Sequence, residues 1–232
     1  MKSPAQMLEG WSLNGILTLQ SGLAWSPNDA TVNDWLGTGE NTNSGIGAGT
    51  TQFWNYSGPR SAFGNTGPNA IPCYGKLAGC TALASAPAAI QSACTTAAQA
   101  PYTGNAQLQQ LALAALANAA CYTQDGGILT PPAYGTLGNA SRGLFTGPRY
   151  YNVDFSVGKL WRLKERFSAQ FRVEVFNLFN RADFSTPNSP TTGADPTKPS
   201  TFGHAINTPD SANPVLGSGG PRHIQFGLKL AF

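Results

Sequence analysis

The side chains best suited to chemistry here are four cysteines and two histidines, and their spacing argues for bracing the chain. Cys73, Cys80, Cys94 and Cys121 are separated by 6, 13 and 26 residues. No C-x-x-C pair occurs among them, and His204 and His223 lie far along the chain, so no metal site is assigned. Two disulfides suit a segment that meets an oxidising compartment. Three pairings are open; Cys73–Cys80 with Cys94–Cys121 closes the most local loops, and four free thiols remain the alternative. Neither G-x-S-x-G nor H-E-x-x-H occurs. The expectation is therefore a protein without catalytic residues or a cofactor. Gly45-Ile-Gly47-Ala-Gly49 is not the dinucleotide fingerprint and reads as a flexible loop.

Aromatic and charged residues offer binding chemistry instead. Trp25, Trp35, Phe53, Trp54 and Tyr56 lie among Asn, Gly and Thr. Of these, Trp25, Trp35, Trp54 and Tyr56 are candidates for stacking on a sugar or another planar ligand. The preferred reading makes such rings a small core of their own segment, because buried aromatics dominate such cores. Asp154, Arg172, Glu174 and Lys229 are candidates for a charged patch lining a lumen. A cross-strand ion network that stabilises a sheet is the preferred alternative. A net charge of +3 is too small to imply a nucleic-acid partner. Charged residues are only 11% of the chain, against about 25% in ordinary soluble domains.

Four segments alternate as two-faced strands must. The last, about 222–232, puts Ile224, Phe226, Leu228, Leu230 and Phe232 on one face and His223, Gln225, Gly227, Lys229 and Ala231 on the other. About 166–177 places Phe167, Ala169, Phe171, Val173 and Val175 opposite Ser168, Gln170, Arg172, Glu174 and Phe176. About 150–161 alternates Tyr151, Val153, Phe155 and Val157 with Asn152, Asp154, Ser156 and Gly158, and Trp161 continues the apolar face. Only Arg162 to Glu165 separate these two segments, which predicts a tight antiparallel hairpin. Lys159 falls on the apolar face, from where its long stem can reach an aqueous interface. The first segment, about 11–20, sets Trp11, Leu13, Leu17 and Leu19 apart from Ser12, Asn14, Thr18 and Gln20, with Ile16 out of pattern.

The connections differ sharply in length. A long loop, 24–148, has only seven charged residues, and its Ala106–Ala120 tract predicts a short helix with Leu108, Leu111 and Leu116 on one side. A second long loop covers 182–220. Long loop, short turn, long loop is the pattern of a transmembrane antiparallel β-barrel. The strand lengths suit a bilayer crossing, and aromatics near strand ends suit interface girdles. A soluble β-sandwich alternates in the same way. It is disfavoured by nearly charge-free apolar faces and by the length of the first loop.

These residues carry a resemblance. Phe171-Arg-Val-Glu-Val-Phe-Asn-Leu-Phe-Asn180, then Asp183-Phe184, Phe202-Gly203 and the closing Pro221-to-Phe232 strand, resemble the carboxyl end of TonB-dependent outer-membrane receptors. They are most similar to the Oar-like, acidobacterial type. The resemblance covers residues 140–232 and, more loosely, 9–26; the intervening loop matches no family. It implies a piece of a barrel of about 22 strands that imports a nutrient across the cell outer membrane. The opening residues have no signal-peptide pattern, and neither a plug nor a TonB-contacting segment is present. The chain is therefore expected to be a carboxyl-terminal fragment of a larger receptor. Partners implied are outer-membrane lipid, the TonB complex through the missing amino-terminal part, an unidentified ligand, and the barrel-assembly machinery. That machinery would read Phe226, Leu228, Leu230 and Phe232 as an assembly signal. The rival reading is a surface binding or adhesion protein whose loops bind without transport.

Overall fold

A computed structural model describes residues 5–27, 29, 34–37, 52–64, 71–164, 167–187, 193–205, 207–209 and 219–232. Two compact units emerge, each built from separate stretches of chain. The first takes residues 1–21, 149–184 and 207–232; the second takes 22–148 and 185–206.

The first unit opens with a single helical turn, α1 (Ala5–Leu8), and is otherwise a sheet. Its strands are β1 (Trp11–Gln20), β8 (Tyr150–Lys164), β9 (Phe167–Phe176) and β10 (His223–Ala231), antiparallel and in the order β1-β8-β9-β10. Register decides which side chains share a face, because directly paired residues point the same way. Leu13 pairs with Val157, Val157 with Val173, and Val173 with Phe226. Likewise Phe155 pairs with Val175, and Val175 with Ile224. One apolar face thus runs unbroken across all four strands. Ser156, Glu174 and Gln225 form a matching row on the other face. Ile16 sits there too, opposite Asp154. Among the described residues this sheet is not closed into a barrel, and β1 and β10 are its edges.

Lys159 departs from expectation. Rather than reaching water, it is 3% exposed. Its ammonium donates to the carbonyls of Met7 (3.0 Å) and Glu9, and lies 4.8 Å from the Trp11 ring centre. The turn after α1 brings these two carbonyls within reach, the Met7 one also accepting from the Trp11 indole N–H at 2.9 Å, and they replace the water that a buried ammonium gives up.

The second unit goes beyond the expectation of a long loop containing short helices, because it carries sheet as well. Residues 24–148 fold into a four-stranded sheet ordered β3-β6-β5-β4 (Asn55–Ser57, Gly127–Thr130, Ala120–Gln124, Cys73–Gly75). A separate pair joins β2 (Ala24–Trp25) to β7 (Phe145–Thr146). Two helices pack with them, α2 (Ala88–Gln99) and α3 (Ala106–Asn118). Asn105 caps α3 by accepting a hydrogen bond from the Leu108 amide at 3.1 Å. The three leucines do not serve one side: Leu116 packs with Cys94 and Cys121, whereas Leu108 and Leu111 pack around Tyr102 and Ala133. Residues 185–206 of the second loop join the same unit. Phe202 is buried against Tyr122 (ring centres 4.5 Å apart) and Trp25 (5.9 Å), and the Tyr122 hydroxyl donates to the Pro196 carbonyl at 2.6 Å.

Candidate functional site

Three sets of residues are candidates for function: the polar face of the sheet, the final strand, and the loop unit.

On the polar face, the register places Arg172 opposite Gly158 and Gly227, and Glu174 opposite Ser156 and Gln225. The Arg172–Glu174 contact, 3.5 Å from Nε to Oε1, therefore runs along one strand and not across strands. Lys229 lies opposite Gln170. Asp154 is engaged elsewhere, accepting from the Asn152 amide group and the Asn177 backbone N–H, each at 2.9 Å. The anticipated four-residue ion network is thus replaced by one partly exposed pair and one hydrogen-bonded carboxylate. A one-residue-skip contact on the same face forms readily, whereas Asp154 is drawn to the strand end by donors already fixed there.

Those donors belong to a polar knot at the end of the sheet from which both long connections leave. Asn177 and Asn180 adopt left-handed backbone conformations (φ 54° and 51°), which asparagine tolerates better than most residues. The Asn177 side chain donates to the carbonyls of Arg181 and Gly220, both at 2.7 Å, and accepts from the Arg181 amide at 3.0 Å. Asn180 accepts from the Arg222 amide at 3.0 Å, fixing where β10 begins. Asp183 accepts from the Tyr151 amide at 3.2 Å and faces Arg181. Burial pushes the Asp183 carboxyl above the usual carboxylate range, opposed by the Tyr151 amide and the Arg181 guanidinium. Sequence reasoning singled out Asp183 only by resemblance. The signal available was the pair of asparagines closing an alternating strand, where turn residues that accept positive φ belong.

On β10, Phe226, Leu228 and Leu230 project from the apolar face and are exposed, and Phe232 is 93% exposed. Phe226 stacks on Phe171, with ring centres 6.2 Å apart. The strand's other edge has no partner among the described strands.

In the loop unit, the candidate stacking aromatics are mostly withdrawn from any ligand. Trp25, Trp35 and Trp54 are buried, and Tyr56 is half-buried. Trp54 meets Trp35 and Tyr122, Trp25 meets Phe145, and Tyr56 meets Phe63 and Phe145. Asp29, itself buried, accepts from the indole N–H of Trp35 (2.8 Å) and of Trp54 (3.1 Å) through one oxygen. A carboxylate buried beside two indole donors orients rings for packing, and leaves those donors closed to a sugar. Burial also pushes the Tyr122 phenol well above its ordinary value, and the neighbouring Asp195 carboxylate pushes it further. The four cysteines are paired as Cys73–Cys80 and Cys94–Cys121. The second bond ties α2 to β5. Among the described residues, no group of three or more His, Cys, Asp or Glu side chains could hold a metal ion.

Against this geometry, a family model described as an outer membrane beta barrel domain matches residues 3–225. No curated protein matches the chain, and no solved structure does.

Proposed function

Because this chain belongs to the outer membrane beta barrel domain family and is a protein of the outer membrane, we propose that it forms the carboxyl-terminal part of a TonB-dependent, Oar-like receptor. In this reading the full-length parent takes up an unidentified ligand at the expense of energy delivered by TonB. The chain has no catalytic role and no nucleic-acid partner. The observation that carries the proposal is the asymmetry of the sheet's connections. Only two residues separate β8 from β9, whereas the connections from β1 to β8 and from β9 to β10 both leave the opposite end and feed the folded loop unit. Short periplasmic turns and long outer connections are how such receptors divide their labour.

The open edges support a larger parent. Backbone groups on β1 and β10 that face lipid must find partners, and closed barrels have about eight strands or more. Further strands of the receptor supply them in this reading, while the barrel-assembly machinery captures β10 through Phe226, Leu228, Leu230 and Phe232 by strand addition. The apolar face meets lipid, and the row containing Arg172, Glu174 and Lys229 meets the lumen.

The rival, a surface binding or adhesion protein, draws its support from the loop unit having a core and two disulfides of its own. Cells with the gene intact or deleted, with and without TonB, separate the two. A labelled nutrient whose uptake disappears on either deletion supports the receptor. Surface binding that depends on this gene and is indifferent to TonB supports the rival.

A further inference from the structure

Beside the Cys73–Cys80 loop, the surface of the second unit carries an open, shallow cavity of about 500 Å³, within the range of small-molecule sites. Its walls are mostly hydrocarbon. Leu83 and its alanine neighbours form one side, and Leu116 and Ala117 of α3 form another. Two neutral polar residues of α2 also line it, yet their donors are turned to the backbone. The Gln91 amide group donates to the carbonyls of Ala84 (3.1 Å) and Ala86 (2.7 Å), and the Thr95 hydroxyl hydrogen is shared by the carbonyls of Gln91 and Ser92. Among the described lining residues Lys76 carries the one formal charge, and none is a carboxylate.

The backbone at Lys76 is fixed, and its side chain is exposed at the rim. Its amide donates to the Ala119 carbonyl at 2.8 Å, the Gly75 amide to Thr81 at 2.8 Å, and the Thr81 amide to Cys73 at 3.1 Å, inside the loop closed by Cys73–Cys80. Only glycine fits at position 75: an added Cβ would lie 2.3 Å from the Ala119 carbonyl oxygen. The α2 wall is fixed in turn by Cys94–Cys121. The walls are thus fixed before any ligand arrives, which reduces the ordering cost of binding to that of the Lys76 side chain.

We propose that this cavity binds a small organic monoanion, an apolar body of ring or chain carbon whose carboxylate pairs with the Lys76 ammonium. Charge complementarity selects the class. An organic cation would meet Lys76 with no acid among the described lining residues to offset it, and a sugar would set most of its hydroxyls against hydrocarbon. The site is independent of how the barrel is energised, and it is tested without TonB.

The test uses the full-length parent protein in lipid nanodiscs, titrated calorimetrically with naphthoate, its neutral alcohol analogue and its ammonium analogue, with empty discs as blank. Naphthoate is expected to bind saturably at one site, about threefold to fivefold tighter than the alcohol, as a partly exposed ion pair allows. The ammonium compound should bind more weakly than either. Lys76→Gln should erase the preference for naphthoate and leave alcohol affinity unchanged. Ala84→Trp, at an exposed wall position, should abolish binding of both while the near-ultraviolet circular dichroism stays native. No saturable binding, or binding untouched by Ala84→Trp, overturns the site. Equal losses for all three compounds in Lys76→Gln overturn the assignment to anions.

Discussion

The most direct test of the sheet's two faces compares one substitution at two nearby positions of β10. Leu228 lies opposite Phe171, which itself pairs with Lys159, in the middle of the apolar face. Gln225 lies opposite Glu174 on the other face. Arginine at either position carries the same charge and nearly the same strand propensity, so the difference between the variants isolates the face. At a lipid-facing site near the bilayer midplane, arginine destabilises a barrel by about 2–4 kcal/mol, falling to about 0–1 near the interfaces. At Gln225 it faces Glu174, where an opposite-charge cross-strand pair contributes roughly 0.2–1 kcal/mol of stabilisation. Leu228→Arg is thus expected to lower the folded-to-unfolded ratio about thirtyfold to several hundredfold, with Gln225→Arg near neutral. Urea titration of the full-length protein in lipid vesicles, followed by tryptophan fluorescence, measures both. Losses of equal size, or a larger loss at Gln225, would refute the facing derived from register.

Phe232→Ala is expected to lower the amount of full-length protein assembled in the outer membrane while leaving its synthesis unchanged; undiminished assembly would leave Phe232 as an ordinary last residue. All four cysteines of exported protein should resist a thiol reagent until reduced, and labelling before reduction would contradict the pairing. Tyr122 predicts an alkaline weakness in the loop unit. Its phenol keeps its proton in the fold at a pH where the unfolded chain has lost it, so its contribution is full below the ordinary value of 10.0 and declines as pH rises above it. Tyrosinate absorbance should therefore rise together with loss of the near-ultraviolet signal, and Tyr122→Phe should flatten that alkaline limb. Ionisation of Tyr122 in an intact fold would refute the burial argument.

Long strands and short ones were not equally legible. Ten residues of alternation, as in β1 or β9, leave few other readings, and the register then aligns the apolar rows. β3 and β4 have three residues each, too short for any period to show, so a folded unit read as loop. Whether Trp54 stacks on a ligand or packs inside is likewise hidden in the sequence, because both roles ask for the same residue. Burial against Tyr122 and the hydrogen bond to Asp29 decide it. Lys159 is hidden for another reason: the carbonyls it caps, of Met7 in α1 and Glu9 just after it, lie more than a hundred residues earlier, and no local pattern announces them.

The insertion of Phe202 beside Trp25 and Tyr122 makes the loop unit a discontinuous domain, and this bears on its order of assembly. Cys73–Cys80 and Cys94–Cys121 join near neighbours, so both bonds can form as soon as that stretch reaches an oxidant. The hydrophobic interior is different. Phe202 and Pro196 lie beyond β8 and β9 in the chain, so the tight hairpin must have passed before the core can close. Until then Trp25 and Tyr122 lack their last cover, a long-range closure of the kind that folds slowly. Grafting residues 22–148 alone onto another barrel would transplant an unfinished core; a working transplant must carry 185–206 as well.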